Sequence, residues 1–339
     1  PEEMEKDIMT STAWRITRTV LALALAAIAL PSSAADKPAT LRIDWAYYNP
    51  VSLVLKDKGL VEQEFAKDGI KIEWVLSLGS NKALEFLNGN SIDFGSSAGA
   101  AALLAKANGV PIKAVYTYSK PEWTALVTRK DSPVNTVEDL RGKRIAVTRG
   151  TDPHIFLLRA LALHGLKSQD VKMVLLQHPD GRVALERGDV DAWAGLDPYM
   201  AQTELEQGSR LFFRDPDLNT YGFLNVRESF AQEHPDLVER VLAVYETTRK
   251  WSLAHPDELR AIVARAGKLT DAVAAKDLER NNLTSGEIGP VQRATIVAAG
   301  DVLKESGVIP ADTDIGKVAD ALIDPQYILR VTKRQQAGK

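Results

Sequence analysis

Short apolar runs alternate with longer amphipathic stretches along this chain, and that rhythm predicts strands and helices in turn. Residues 41–45 read as a strand, followed by a helix over 51–68 with a break at Gly59. A strand over 71–75, a helix over 81–87, a short buried strand at 92–94, an Ala/Leu-rich helix over 98–107 and a strand over 112–118 complete a first series. The series then repeats: strand 124–128, short helix 136–140, strand 145–148, helix 153–164, strand 171–176, helix 182–186 and strand 190–194. From Pro235 onward the pattern is almost purely helical, with a break over 285–290. Alternation of this kind predicts an α/β fold with mostly parallel sheets. Residues 83–93 and 184–191 share one pattern, a helix, a glycine stop and a buried strand carrying an Asp. It fits two similarly built lobes facing each other across a cleft, and equally the ordinary form of any αβ unit.

The N-terminal pattern differs. Arg15 and Arg18 precede an apolar run over 20–30 that leads to Ser33-Ala34-Ala35. A charged segment, an apolar segment and a small-residue cleavage site make a secretory signal peptide. The run is too short for a transmembrane helix, which needs about 20 residues. Residues 1–35 are therefore set aside as leader and signal peptide, and the mature protein is expected in the periplasm.

Composition narrows the class. The charged fraction is 26% and the hydrophobic fraction 45%, ordinary values that exclude disorder and a polytopic membrane protein. The net charge is −3 without a block of like charges, so the basic footprint of a nucleic-acid binder is missing. There is no cysteine. Thiol catalysis, cysteine-ligated zinc, iron–sulfur clusters and a lipid-modified cysteine anchor are thereby excluded. The five histidines (His154, His164, His178, His234 and His255) have no metal-ligand spacing. No nucleophile elbow, P-loop or dinucleotide fingerprint is present. The sequence thus predicts no enzyme, no metal and no cofactor.

Candidate chemistry sits where strands hand over to helices. Asn49-Pro50, Asp152-Pro153 and Asp197-Pro198 each place a capping residue before a proline, and Ser80-Asn81 and Ser97-Ala98 offer weaker helix starts. In a parallel α/β sheet, ligands bind beyond the carboxyl ends of the strands, where these helices begin. Free N–H groups and the positive dipole end suit an anion there, although every helix needs a cap. Aromatic residues cluster beside the same loops: Tyr47 and Tyr48 before Asn49, Tyr118 and Trp123 around a turn, Trp193 and Tyr199 around Asp197, and Tyr221 before Gly222. They can serve as core or as walls for an apolar ligand tail. Arg149, with Gly150 behind it, can meet an anion directly or form a surface ion pair.

The order of Ile92-Asp93-Phe94-Gly95, then Asp139 to Val147 (DLRGKRIAV), then Gly188-Asp189-Val190-Asp191-Ala192 and Asp197-Pro198-Tyr199 resembles the aliphatic sulfonate, nitrate and taurine family of ABC-transporter binding proteins, closest to the aliphatic sulfonate-binding members. The resemblance covers about residues 40–330. It implies a two-lobed, type II-like periplasmic binding protein: each lobe a mostly parallel sheet flanked by helices, two crossover strands near 123–127 and 222–226, and a helical C-terminal tail. Lobe one would comprise 40–125 plus 226–330, and lobe two 126–225. The implied function is capture of a small anion, an organosulfonate, between lobes that close on it, and delivery to the membrane subunits of an ABC importer, with the protein a monomer. The matching head-group positions are Asn49, Ser80, Asn81, Ser97, Ala98, Gly150, Thr151 and His154, faced by Asp197 and Tyr199. Asp152 departs from the family pattern, since a carboxylate stands where a small or hydroxyl residue is usual. Nitrate, bicarbonate, taurine or a heterocycle remain alternatives as ligand.

Overall fold

The computed structural model describes residues 37–337; the signal-peptide reading of residues 1–35 lies outside them. Two sheets organise the molecule. The first has six strands: β1 (Thr40–Trp45), β2 (Lys71–Leu76), β3 (Phe94–Ala98), β4 (Ile112–Pro121), β10 (Gly222–Arg227) and β11 (Asn281–Asn282), in the order β11-β4-β10-β3-β1-β2. The second has five: β5 (Leu126–Thr128), β6 (Arg144–Val147), β7 (Lys172–Leu175), β8 (Ala192–Ala194) and β9 (Arg210–Phe213), in the order β7-β6-β8-β5-β9. Strand pairs β1/β2, β1/β3, β6/β7 and β6/β8 are parallel. Each sheet also accepts one antiparallel strand that arrives from the other: β5 beside β8 and β9, and β10 between β3 and β4. The chain therefore leaves the first lobe after Pro121 and returns through residues 214–221.

Helices cover both faces of the sheets. In the first lobe, α1 (Pro50–Lys58) and α2 (Leu60–Phe65) follow β1, α3 (Ser80–Asn88) follows β2, and α4 (Gly99–Ala107) follows β3. In the second lobe, α5 (Asp152–Leu163), α6 (His178–Arg187) and α7 (Tyr199–Gln207) follow β6, β7 and β8. The tail adds α8 (Glu228–Glu233), α9 (Pro235–Ala254), α10 (Pro256–Gly267), α11 (Asp271–Glu279), α12 (Pro290–Glu305), α13 (Ile315–Leu322) and α14 (Gln326–Ala337), all beside the first lobe's sheet or its helices. None of the described helices is long and apolar enough to cross a membrane.

Local chemistry explains these elements. The Asn49 side chain accepts from Ser52 N, Pro50 opens α1, and Gly59 closes it in the left-handed conformation. α4 is small and apolar because it is squeezed between layers: a Cβ on Gly99 would approach Ile296 and Phe223 to 2.8 and 3.0 Å. The large core centres on the first sheet but also contains Ile155 and Leu158 of α5 and Leu196 before α7. Two smaller clusters cover the faces of the second sheet. The large core thus continues from the first lobe into the second.

Some boundaries move from the sequence pattern. The strand expected at 92–94 begins at Phe94 and runs to Ala98, because Ser96 and Ser97 are satisfied inside the sheet. β9 was not evident in the pattern, and α6 begins at His178, four residues before the predicted start.

Candidate functional site

Each strand of the parallel pairs hands over to a helix, and helix starts of the two lobes meet. Two of these starts touch from opposite lobes. A Cβ on Gly79, just before α3, would lie 2.9 Å from Nε2 of His178, the first residue of α6. The start of α5 joins them, since a Cβ on Gly150 would lie 4.0 Å from the Asn81 Cβ. Three helix N-termini therefore converge around Gly79–Asn81, Gly150–Thr151 and Gln177–His178. Arg149 stands beside them, exposed and without an ion-pair partner among the described residues.

His178 is the residue that sequence reasoning missed. It is wholly buried, and burial holds its pKa down to about 3. Its signal was Pro179, a proline in the first turn of the helix that follows β7, as Pro50 is in the helix that follows β1. His154 lies in the first turn of α5 and is neutral for the same reason, with its pKa lowered to about 4 by burial and then by Arg149. Its Nδ1 is 3.5 Å from Gly150 N. The Thr151 hydroxyl donates to the Thr148 carbonyl.

Other candidates turn inward. Asn49 donates through Nδ2 to Ser96 Oγ at 2.8 Å, and Ser96 in turn donates both its hydroxyl and its backbone N–H to Asp44. Asp44 is fully buried with no cation beside it, and burial pushes its pKa up to about 6. Ser80 Oγ accepts from Ala98 N, and Ser97 Oγ accepts from Asn225 Nδ2. These groups knit the helix starts of the first lobe to its sheet.

Asp152 is committed elsewhere. Its Oδ2 accepts from Trp123 Nε1 at 2.9 Å and from Thr220 N at 3.0 Å, and its Oδ1 accepts from Thr220 Oγ1 at 2.8 Å. Trp123 lies on the outgoing crossover and Thr220 on the returning one. The carboxylate is buried, which raises its pKa, while those hydrogen bonds oppose the rise. The cap of α5 is Thr151, not Asp152.

Asp197 likewise faces away from the convergent helix starts. It pairs with Arg280 at 3.1 Å and accepts from Ala201 N. Arg280 also pairs with Glu204 and belongs to the tail beyond α11, so this buried pair spans the lobes. The Asp197-Pro198 bond is cis, and α7 begins at Tyr199. Burial first, then the nearby Tyr47 hydroxyl, push Tyr199 up to about 12. Tyr221 sits apart, in a groove of about 590 Å³ lined by Lys120, Ile288 and Leu329. No cluster suited to a metal ion occurs among the described residues.

A family model described as NMT1/THI5 like matches residues 57–259. The chain belongs to that family. Within reach of this NMT1/THI5-like chain is a protein of Escherichia coli (strain K12) named for binding aliphatic sulfonates, 30% identical over 309 residues that span 88% of this chain and 95% of the relative. Among solved structures, the alkanesulfonate-binding protein SsuA from Xanthomonas axonopodis pv. citri bound to MOPS superposes with a TM-score of 0.78 at 28% identity, covering 86% of this chain and 100% of that one. The periplasmic aliphatic sulphonate binding protein SsuA from Escherichia coli gives 0.71 at 29% identity, covering 82% and 91%. The fold is therefore the two-lobed periplasmic binding protein fold, and these relatives are binding proteins.

Proposed function

We propose that this protein is the periplasmic solute-binding component of an ABC importer and captures an organosulfonate between its lobes. The observation that carries this reading is the convergence of the α3, α5 and α6 N-termini with Arg149 at one point of the cleft. Backbone N–H groups and dipole ends at that point suit the oxygens of a singly charged head group. Both histidines there are held neutral, so the site offers little fixed charge beyond Arg149 and favours a monoanion over a dianion. Tyr47 and Tyr199 can flank the tail. The relatives' ligands support a sulfonate.

Helix ends contribute about 0.3–1 kcal/mol each at exposed sites and up to about 2 when partly buried, while micromolar binding needs about 8 kcal/mol. Direct hydrogen bonds and tail burial must supply the remainder. At about 0.8 kcal/mol per methylene, a butyl tail favours an alkanesulfonate over sulfate by roughly 3 kcal/mol, about a hundredfold.

Thermal unfolding of the signal-free protein against alkanesulfonates of increasing length, taurine, a zwitterionic sulfonate, sulfate, nitrate and bicarbonate tests this. The melting temperature should rise with alkyl length, because a ligand that binds only the folded state stabilises it by mass action. Shifts with nitrate or bicarbonate alone would keep the fold and overturn the ligand. Turnover of a substrate without stable binding would favour an enzyme on this fold.

A further inference from the structure

Among the unpartnered buried polar groups of the described residues, two face one point of the cleft. Thr148 Oγ1 donates its single proton to the Leu176 carbonyl at 2.7 Å, so at 3.1 Å it must accept from His178 Nδ1. That assigns the ring proton to Nδ1 and leaves Nε2 a bare acceptor. Nε2 has no partner, and neither has the buried Oδ1 of Asn81 in the other lobe. A Cβ on Gly79 would lie 2.8 Å from Asn81 Oδ1 and 2.9 Å from His178 Nε2. Two acceptors cannot satisfy each other, but the oxygen and nitrogen of a side-chain amide have nearly the same shape. Turning the Asn81 amide puts an N–H donor in the place of that oxygen, against the same point beside Gly79 as the Nε2 acceptor.

We propose that Asn81 and His178 form the hydrogen bond that latches the two lobes once the cleft has closed, and that Gly79 provides the clearance for them to meet. This rests on the reading of the protein as a cleft-closing solute-binding protein. Thr148 acts through His178 by fixing its tautomer. Gly79 has φ of 177°, extended backbone open to any residue. Its lack of a side chain therefore answers no demand of local conformation; the demand comes from the opposite lobe. The buried interlobe pair of Asp197 with Arg280 is tied to the outgoing crossover, since Asp197 N donates to Trp123 O and Glu122 N to Arg280 O. It lies near the pivot, where rotation moves atoms least.

The absence of cysteine allows paired spin labels at Asn88→Cys and Asp189→Cys, both exposed and one in each lobe. Dipolar distances between them read the closed fraction, and stopped-flow dissociation of butane-1-sulfonate reads its lifetime. In His178→Asn the amide nitrogen stands near the place of Nδ1 and keeps the Thr148 contact, but the acceptor is lost; in His178→Gln an acceptor stands near the place of Nε2. His178→Asn should shift the distances towards the open form and raise the dissociation rate about 2- to 12-fold, the range for one hydrogen bond, with the association rate unchanged. Gly79→Ala should do the same by wedging, and His178→Gln, which returns an acceptor, should dissociate more slowly than His178→Asn. Wild-type distances and dissociation in His178→Asn, or equal impairment in Asn and Gln variants, would overturn the latch. If the wild type binds no sulfonate yet the ligand-free distances still separate the variants in this order, the latch stands and the capture reading falls.

Discussion

Replacing Asp152 separates a hinge role from a ligand role. In Asp152→Ala three donors lose their acceptor: Trp123 Nε1, Thr220 N and Thr220 Oγ1. The threonine hydroxyl can rotate to another acceptor, but the indole and backbone N–H are both buried and fixed. Each orphaned donor costs about 1–3 kcal/mol, so the two together should cost the variant about 2–6 kcal/mol of unfolding free energy. In Asp152→Asn the remaining oxygen can take over the two N–H donors and only the Thr220 hydroxyl contact is reversed. Loss of a buried charge, whose pKa burial raises, offsets part of that, and the net cost should be about 1 kcal/mol or less. Urea denaturation followed by tryptophan fluorescence measures both values, with unchanged m-values confirming that the same surface unfolds. Sulfonate affinity of Asp152→Asn should remain within about twofold of wild type. An alanine variant as stable as wild type would refute the hinge account. A large gain in anion affinity for the asparagine variant would show instead that the carboxylate faces the ligand.

Two further outcomes follow from the charges. Asp44 has its pKa raised to about 6 by burial, so between roughly pH 4 and 6 the folded state binds more protons than the unfolded one, and its contribution to stability falls as pH rises through that window. Asp44→Asn should therefore be more stable than wild type at pH 7.5, by about 3 kcal/mol at most, with the difference shrinking towards pH 4; a less stable variant at pH 7.5 would contradict this. Arg149→Gln should weaken sulfonate binding about 5- to 10-fold at low ionic strength and less at high salt, as read by titration calorimetry, and an unchanged low-salt affinity would place the arginine outside the site.

Much of the fold is legible in the sequence because burial writes a period on it. Leu41 and Ile43 alternate with Arg42, and helices open at Asn49-Pro50 and close at Gly59 where the caps predict. The starts of α3 and α5 were marked by the same signals, whereas that of α6 was placed four residues too late. What could not be read locally was the partner of each polar side chain. Asp152 looked like a helix cap, yet its main partner, Thr220, is 68 positions away. Asp197 looked like a head-group contact, and Arg280, 83 positions on, claims it. His178 escaped notice because the residue that caps its helix, Gln177, is not among the preferred caps and the helix was placed from Arg182. Long-range pairing decides such roles, and single-sequence patterns carry only short-range information.

The placement of β10 bears on how the chain can be assembled. A polypeptide made or threaded from its N-terminus completes β5 to β9 by Phe213, so the second lobe's sheet is available as one continuous stretch. The first lobe's sheet lacks an interior strand until Gly222–Arg227 emerges, and until then β3 and β4 border a gap one strand wide. The inserted lobe can therefore mature before the lobe that begins the chain, reversing the usual N-terminal-first order. Unpaired strand edges invite pairing with other chains, so a product truncated before Arg227 should aggregate, whereas an excised second-lobe fragment retains every strand of its sheet.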